Sequence, residues 1–230
     1  MKENKLILVL VEGKSDQTAL NLIEKFCENN KAQIYITKGD ITSDFKTTYS
    51  NCENVLKDFI KKFINEYGLE KKDILQVIHI IDTDGAFIPD SNIVLNNNAN
   101  STLYYLDRIE TNNVKKIIDR NNKKISIISK LCNTSKIYKI DYKIFYMSCN
   151  LDHVIHNEIN IADASDKVKK AFEFREKFLD DKQGFINFFN SSSFTVKRNY
   201  EDSWDFIKQG LNSLNRYSNV FLFIDEILSS

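Results

Sequence analysis

The chain has 230 residues, 42% hydrophobic and 12% aromatic, with one Pro and six Gly; this is a globular composition rather than a disordered one, and the chain is long enough to bury a core. Thirty-two basic side chains cancel 32 acidic ones, so overall charge makes no case for a nucleic-acid partner, although local basic patches can still hold phosphates. Four scattered cysteines without a C-x-x-C pair exclude a zinc ribbon or dithiol redox motif and read as reduced thiols; with no leader pattern and no long apolar run, the expected location is the cytoplasm, away from membranes.

The uninterrupted apolar run Lys5–Val11 predicts a strand buried on both faces. Glu12-Gly13-Lys14-Ser15-Asp16 follows at once, with Ser15 as the expected helix N-cap and Ala19, Leu20, Ile23 and Phe26 at helical spacing. A second strand is predicted over Gln33–Thr37, ending at Lys38-Gly39. The stripe Val55, Phe59, Ile60, Phe63, Ile64 marks a helix that Gly68 can close in a left-handed conformation. Ile74–Ile81 is a third buried strand running into Asp82-Thr83-Asp84-Gly85, and three strand-then-helix steps predict a parallel sheet with right-handed crossovers.

The polar stretch from Phe87 to Ser101 reads as a loop able to cover the strand ends, Leu103 to Leu131 as helix, and Tyr142–Met147 as a fourth strand leading into Asn150-Leu151-Asp152. Beyond it, Asp166–Leu179, the cluster Phe185, Ile186, Phe188, Phe189, and Trp204–Leu214 suggest amphipathic helices, with Val220–Ile224 as a last strand. No internal repeat or flexible linker appears. The expected architecture is α/β, a mostly parallel central sheet flanked by helices over 1–157, with a mainly helical extension over 158–230 packed on it.

Four acids, Glu12, Asp16, Asp82 and Asp84, fall at or just beyond the C-terminal ends of two predicted parallel strands, where open α/β sheets place their ligands. In an extended Asp-x-Asp step the two side chains point the same way. Clustered carboxylates repel unless a cation joins them, and magnesium takes oxygen ligands while keeping several waters. Such an ion polarises a phosphate and lowers the pKa of a bound water. Lys14 and Lys38 are weak candidates for phosphate contacts. Asp152, His153 and His156 follow the fourth strand; two His three apart can share a metal, but a capping Asp beside two partly buried His is the commoner arrangement, and His79, inside a strand, reads as packing.

Leu8-Val-Leu-Val-Glu12-Gly-Lys-Ser-Asp16-Gln-Thr-Ala-Leu20 and Ile80-Ile-Asp82-Thr-Asp84-Gly85 resemble the two motifs of the Toprim family, which includes topoisomerases, DnaG-like primases, ribosomal-RNA maturation ribonucleases and OLD-type nucleases of anti-phage defence. The resemblance implies a Toprim-like (Rossmannoid) sheet, with Glu12 as ligand or general acid/base and Asp82 and Asp84 as ligands of Mg2+ or Mn2+. Asp16 resembles the second acid of the nuclease branches, and Asp152 the further acid those branches carry after the fourth strand, with Asp in place of Glu. It therefore implies a small metal-dependent nuclease acting on DNA or RNA (transfer RNA included), as the effector of a phage-defence system. With no G-x-x-x-x-G-K-[ST] loop in the chain, any nucleotide-driven control would come from an ATPase partner subunit. Homo-oligomerisation stays open. The competing reading is a non-catalytic partner-binding or phosphate-sensing module that retains the fold.

Overall fold

The computed structural model describes residues 5–27, 32–39, 41–161 and 163–228. In chain order its first half contains β1 (Lys5–Val11), α1 (Lys14–Leu20), α2 (Leu22–Phe26), β2 (Ala32–Lys38), α3 (Cys52–Glu66) and β3 (Ile74–Asp82). Three short strands follow, β4 (Ile93–Leu95), β5 (Leu103–Tyr104) and β6 (Ile109–Thr111), then α4 (Val114–Cys132), β7 (Lys136–Ile137) and β8 (Ile140–Ser148). The remainder is α5 (Leu151–His156), α6 (Ala164–Lys177), α7 (Lys182–Phe189), α8 (Tyr200–Ile207), β9 (Tyr217–Ser218) and α9 (Phe221–Leu228).

The main sheet has the order β2-β1-β3-β8-β7. Its four long strands are parallel, with Val9 opposite Ile36 and Ile78, and Ile80 opposite Phe145, while β7 and β9 pair antiparallel to β8. Because strand side chains alternate, each long strand feeds two cores. Val9, Val11, Ile78, Ile80, Phe145 and Met147 pack with α1, α2, α6, α7 and α9. Leu8, Leu10, Val77, Ile81, Ile144 and Tyr146 pack with α3, α4 and α8. Apolar runs such as KLILVLV are what a strand covered on both faces requires. No helix among the described residues is long and apolar enough to cross a membrane.

The parallel sheet and its helical layers agree with the expectation from sequence; several elements do not. Ser15 is not the cap of the first helix: Gly13 is, and the predicted single helix breaks at Asn21 into α1 and α2. The stretch 87–101 is not all loop, and 103–113 is not helix, because β4 and β5 flank β6 in a small second sheet. Two- and three-residue strands carry too little pattern to be read, and α4 begins only where Asn113 caps it through Lys116 N. The helix predicted over 204–214 is α8 at 200–207, followed by turns, and Val220–Ile224 runs from a turn at Val220 into α9 instead of forming a strand; short apolar runs do not distinguish the two states. Asn150, not Asp152, caps α5.

His79 is fully buried in β3, and its Nδ1 lies 2.9 Å from Tyr142 Oη. Burial, with Lys124 nearby, pushes the imidazole from 6.5 down to about 3. The unfolded chain therefore binds a proton that the folded chain refuses between these values, so His79 contributes stability above pH 6.5 that is lost as pH falls. Urea denaturation at pH 7 and pH 5 should show a loss of about 2 kcal/mol that His79→Gln does not share. An equal pH dependence in the variant would remove His79 as the cause.

Candidate functional site

β2 and β3 flank β1 on opposite sides, so the chain leaving β1 diverges from the chain leaving β3 at the C-terminal pole of the sheet. In open α/β sheets this divergence opens the crevice used for ligands. Glu12 follows β1 and Asp82 ends β3, so both predicted motifs arrive at this pole. Glu12 is partly buried, and its Oε1 accepts a hydrogen bond from Thr42 Oγ1 at 2.5 Å.

Asp16 is the third residue of α1, and its Oδ2 accepts from Gly13 N at 2.8 Å, closing the first turn. It thus has a capping role whatever else it does. Burial, and then the charge of Asp152, raise its carboxyl above the usual range. Asp82 Oδ1 accepts from Leu151 N at 3.0 Å. Burial together with the charges of Asp16, Glu12 and Asp84 pushes the Asp82 carboxyl well up. Asp82 is therefore electrostatically coupled to all three other motif acids.

The Asp82-Thr83-Asp84-Gly85 turn is held from outside. Thr83 Oγ1 donates to Ser213 O at 2.8 Å, and Asp84 N donates to Cys149 O at 2.8 Å. Asp84 and Gly85 both have positive φ, 49° and 65°. A Cβ at Gly85 would stand 2.5 Å from Leu214 Cδ2, so glycine is required here for both conformation and space.

Facing these acids is a cation absent from the expected site. Lys124 on α4 is 1% exposed, and its Nζ lies 2.5 Å from Asp84 Oδ2, 3.4 Å from Glu12 Oε1 and 3.1 Å from Ser43 Oγ. Burial would lower its pKa, but Asp84 and Glu12 more than reverse this, and the ammonium is held charged. Asp84 is reciprocally affected: burial alone would raise it, yet Lys124 and Arg120 hold it below the usual carboxylate range. Arg120, one helical turn before Lys124, donates through Nη2 to Asp84 O at 2.8 Å and through Nη1 to Tyr104 Oη at 2.6 Å. A signal for Lys124 existed in the sequence. The buried stripe of α4 includes Ile117, Asn121, Lys124, Ile128 and Leu131, and a lysine inside an apolar stripe needs a buried partner.

Asp152 stands on the other side of the site. It is 4% exposed; Oδ2 pairs with Lys167 Nζ of α6 at 3.2 Å, and Oδ1 has no hydrogen-bond partner. His153 and His156 do not join it as ligands. His153 Nδ1 accepts from Cys149 N at 3.2 Å, burial lowers that imidazole to about 4, and His156 packs edge-on against Phe174. Lys14 and Lys38 are exposed, and neither lines the cleft.

A cleft of about 370 Å³ opens beside the acids, lined among others by Asp82, Asp84, Thr102, Tyr104, Asn160 and Lys167. Among the described residues, no three His, Cys, Asp or Glu side chains form a preassembled metal cage; Lys124 and Lys167 supply positive charge among the carboxylates. The donor chemistry nevertheless fits a hard divalent ion, since the acids offer only oxygens and Asp152 Oδ1 is buried without a partner. A second depression, lined by Lys71, Lys72, Lys136 and Lys139, lies at the opposite pole, beside the start of β3 and the β7–β8 hairpin, and contains none of the motif acids.

Compared with known proteins, the chain matches no family model, no curated protein and no solved structure.

Two substitutions test this geometry. Lys124→Met leaves Glu12 and Asp84 without their buried cation, and without divalent ions it should lower unfolding stability by about 3–5 kcal/mol in urea titrations at neutral pH. A change under about 1 kcal/mol would mean the ion pair is not formed in solution. Gly85→Ala should cost about 1–3 kcal/mol through its φ and its collision with Leu214. Relief of that cost by Leu214→Ala in the double variant would assign the steric share.

Proposed function

We propose that the protein is a metal-dependent nuclease that hydrolyses phosphodiester bonds of DNA or RNA through a Toprim-type acidic site. One observation carries the reading: five carboxylates, Glu12, Asp16, Asp82, Asp84 and Asp152, gather with Arg120, Lys124 and Lys167 at the sheet pole where ligands bind. Acids alone suit a cation, and cations alone suit an anion. Both together, beside an open cleft, suit a phosphate diester handled with a divalent ion.

Glu12, Asp16, Asp82, Asp84 and Asp152 are the residues available to hold Mg2+ or Mn2+, which when bound would polarise the scissile phosphate and acidify a water. The chain's own groups have distinct tasks. Arg120 and Lys124 set a positive potential at the inner wall of the site, which favours the bridging phosphate over neutral ligands. Lys167 and the Tyr104 ring line the cleft, where a neighbouring phosphate and base or sugar can rest. Thr42 and the Leu151 amide orient Glu12 and Asp82 by hydrogen bonds.

In this reading the protein is the cutting subunit of a phage-defence system, with an ATPase supplied by another chain. The decisive assay incubates labelled plasmid, single-stranded DNA and total transfer RNA with the wild type, Glu12→Gln and Asp82→Asn in Mg2+ or Mn2+. Cleavage should be metal-dependent and fall at least about a hundredfold in both variants. A folded, metal-binding wild type that cuts none of these substrates, with or without a copurifying ATPase, would replace the nuclease by a phosphate-sensing module.

A further inference from the structure

We propose that the site takes a single divalent ion, held by Asp16, Asp82 and Asp152, and that the Lys124 ammonium permanently fills the second cation position, between Glu12 and Asp84. The inference rests on the nuclease reading and divides its acidic cluster into two halves with different occupants.

The two lysines of the site differ in the property that matters. Lys124 Nζ has three oxygen neighbours, one for each ammonium proton: Asp84 Oδ2, Glu12 Oε1 and Ser43 Oγ, at 2.5, 3.4 and 3.1 Å. Its side chain is 1% exposed and belongs to the buried stripe of α4, flanked one turn away by Ile127 and Ile128. It cannot leave for solvent without moving the helix, and a divalent ion entering between Glu12 and Asp84 would meet a fixed positive charge at close range. Lys167 has one carboxylate partner, at 3.2 Å, and its side chain is 36% exposed. A long, half-solvated lysine can swing into water at little cost.

Withdrawal of Lys167 leaves Asp152 buried, with neither carboxylate oxygen paired, near enough to Asp16 for its charge to be felt there, and next in the chain to Leu151, whose amide donates to Asp82 Oδ1 at 3.0 Å. Even with Lys167 in place, Asp152 Oδ1 lacks a partner although Asp152 is only 4% exposed. A desolvated carboxylate oxygen of this kind calls for a cation or a donor. The three carboxylates, from α1, β3 and α5, are not preassembled as a cage; drawn together with waters around an ion that replaces the Lys167 ammonium, they would satisfy a magnesium-like cation. The scissile phosphate then lies between one exchangeable cation and one built into the chain, a charge arrangement that two-metal sites reach with two ions.

Manganese binding, followed by electron paramagnetic resonance with circular dichroism as a check on folding, separates the halves without relying on turnover. The wild type should bind one ion per chain. Asp152→Asn should weaken binding at least about tenfold, whereas Glu12→Gln should leave it within about threefold. Lys124→Met, where it folds, should admit a second ion; the two isosteric variants decide the matter should it not. Two ions in the wild type, a Glu12→Gln loss equal to that of Asp152→Asn, or a folded Lys124→Met that still takes one ion would overturn the division. Metal-dependent cleavage in the same preparations would then leave the nuclease reading standing, while a wild type that neither binds manganese nor cuts would overturn both.

Discussion

The ammonium of Lys124 is the interaction on which the rest of the site depends. Glu12 and Asp84 arrive at the same pole from different strands, and each brings a negative charge into a setting that water only partly reaches. Two such carboxylates repel strongly at low effective dielectric, and without compensation one of them would take up a proton. Lys124 removes that outcome for Asp84, which is held below the ordinary carboxylate range, but it does not do so for Asp82, which is pushed up. The opposite directions in which the two carboxyls are pushed follow from the placement of one helix.

That placement is a consequence of the sheet. Alternation along β1, β3 and β8 demands helices on both faces, and α4 covers the face built from Leu8, Leu10, Val77 and Ile81. Its apolar stripe continues to the C-terminal pole of the strands, and Lys124 sits where the stripe passes the carboxylates. A helix that merely covered a core would carry another apolar residue there. Burying a lysine there forgoes the stability an apolar side chain would supply, so the position answers to the carboxylates it faces and not to the core.

How much of this was legible in the sequence depended on the length of the pattern. KLILVLV and ILQVIHI announce doubly covered strands in their own composition, and the Glu12-to-Asp16 and Asp82-to-Gly85 turns follow them directly, so the parallel sheet and the convergence of four acids could be read without coordinates. The small sheet of β4, β5 and β6 could not, since strands of two or three residues are defined by pairing partners and not by periodicity. Lys124 and Arg120 were missed for a different reason. They lie about forty residues beyond the nearest motif, and helix surfaces are ordinarily lined with lysine and arginine; only the observation that position 124 falls on the buried side of α4 singles one out. The acids carry a local signal, whereas Lys124 carries only its place in the helical stripe of α4, a signal that needs the whole helix to be seen.

The C-terminal third carries the same lesson into the architecture. It reads as a run of amphipathic helices packed on the core, and its contacts are with the parts of that core that shape the site. β9 pairs with β8 at Met147 and Ser148, Asn219 Oδ1 accepts from Tyr146 N, Ser213 O accepts from Thr83 Oγ1, and Leu214 occupies the space beside Gly85 that any side chain there would need. Lys167, the counter-charge of Asp152, also comes from this region. The Asp-x-Asp-Gly turn is therefore held by residues more than 120 positions later in the chain, and the acidic site is completed only when the last third of the polypeptide has packed. An unpacked C-terminal third would leave Asp152 without its lysine and the 82–85 turn without its outer wall, which makes the site a property of the whole fold and not of the motif-bearing half alone.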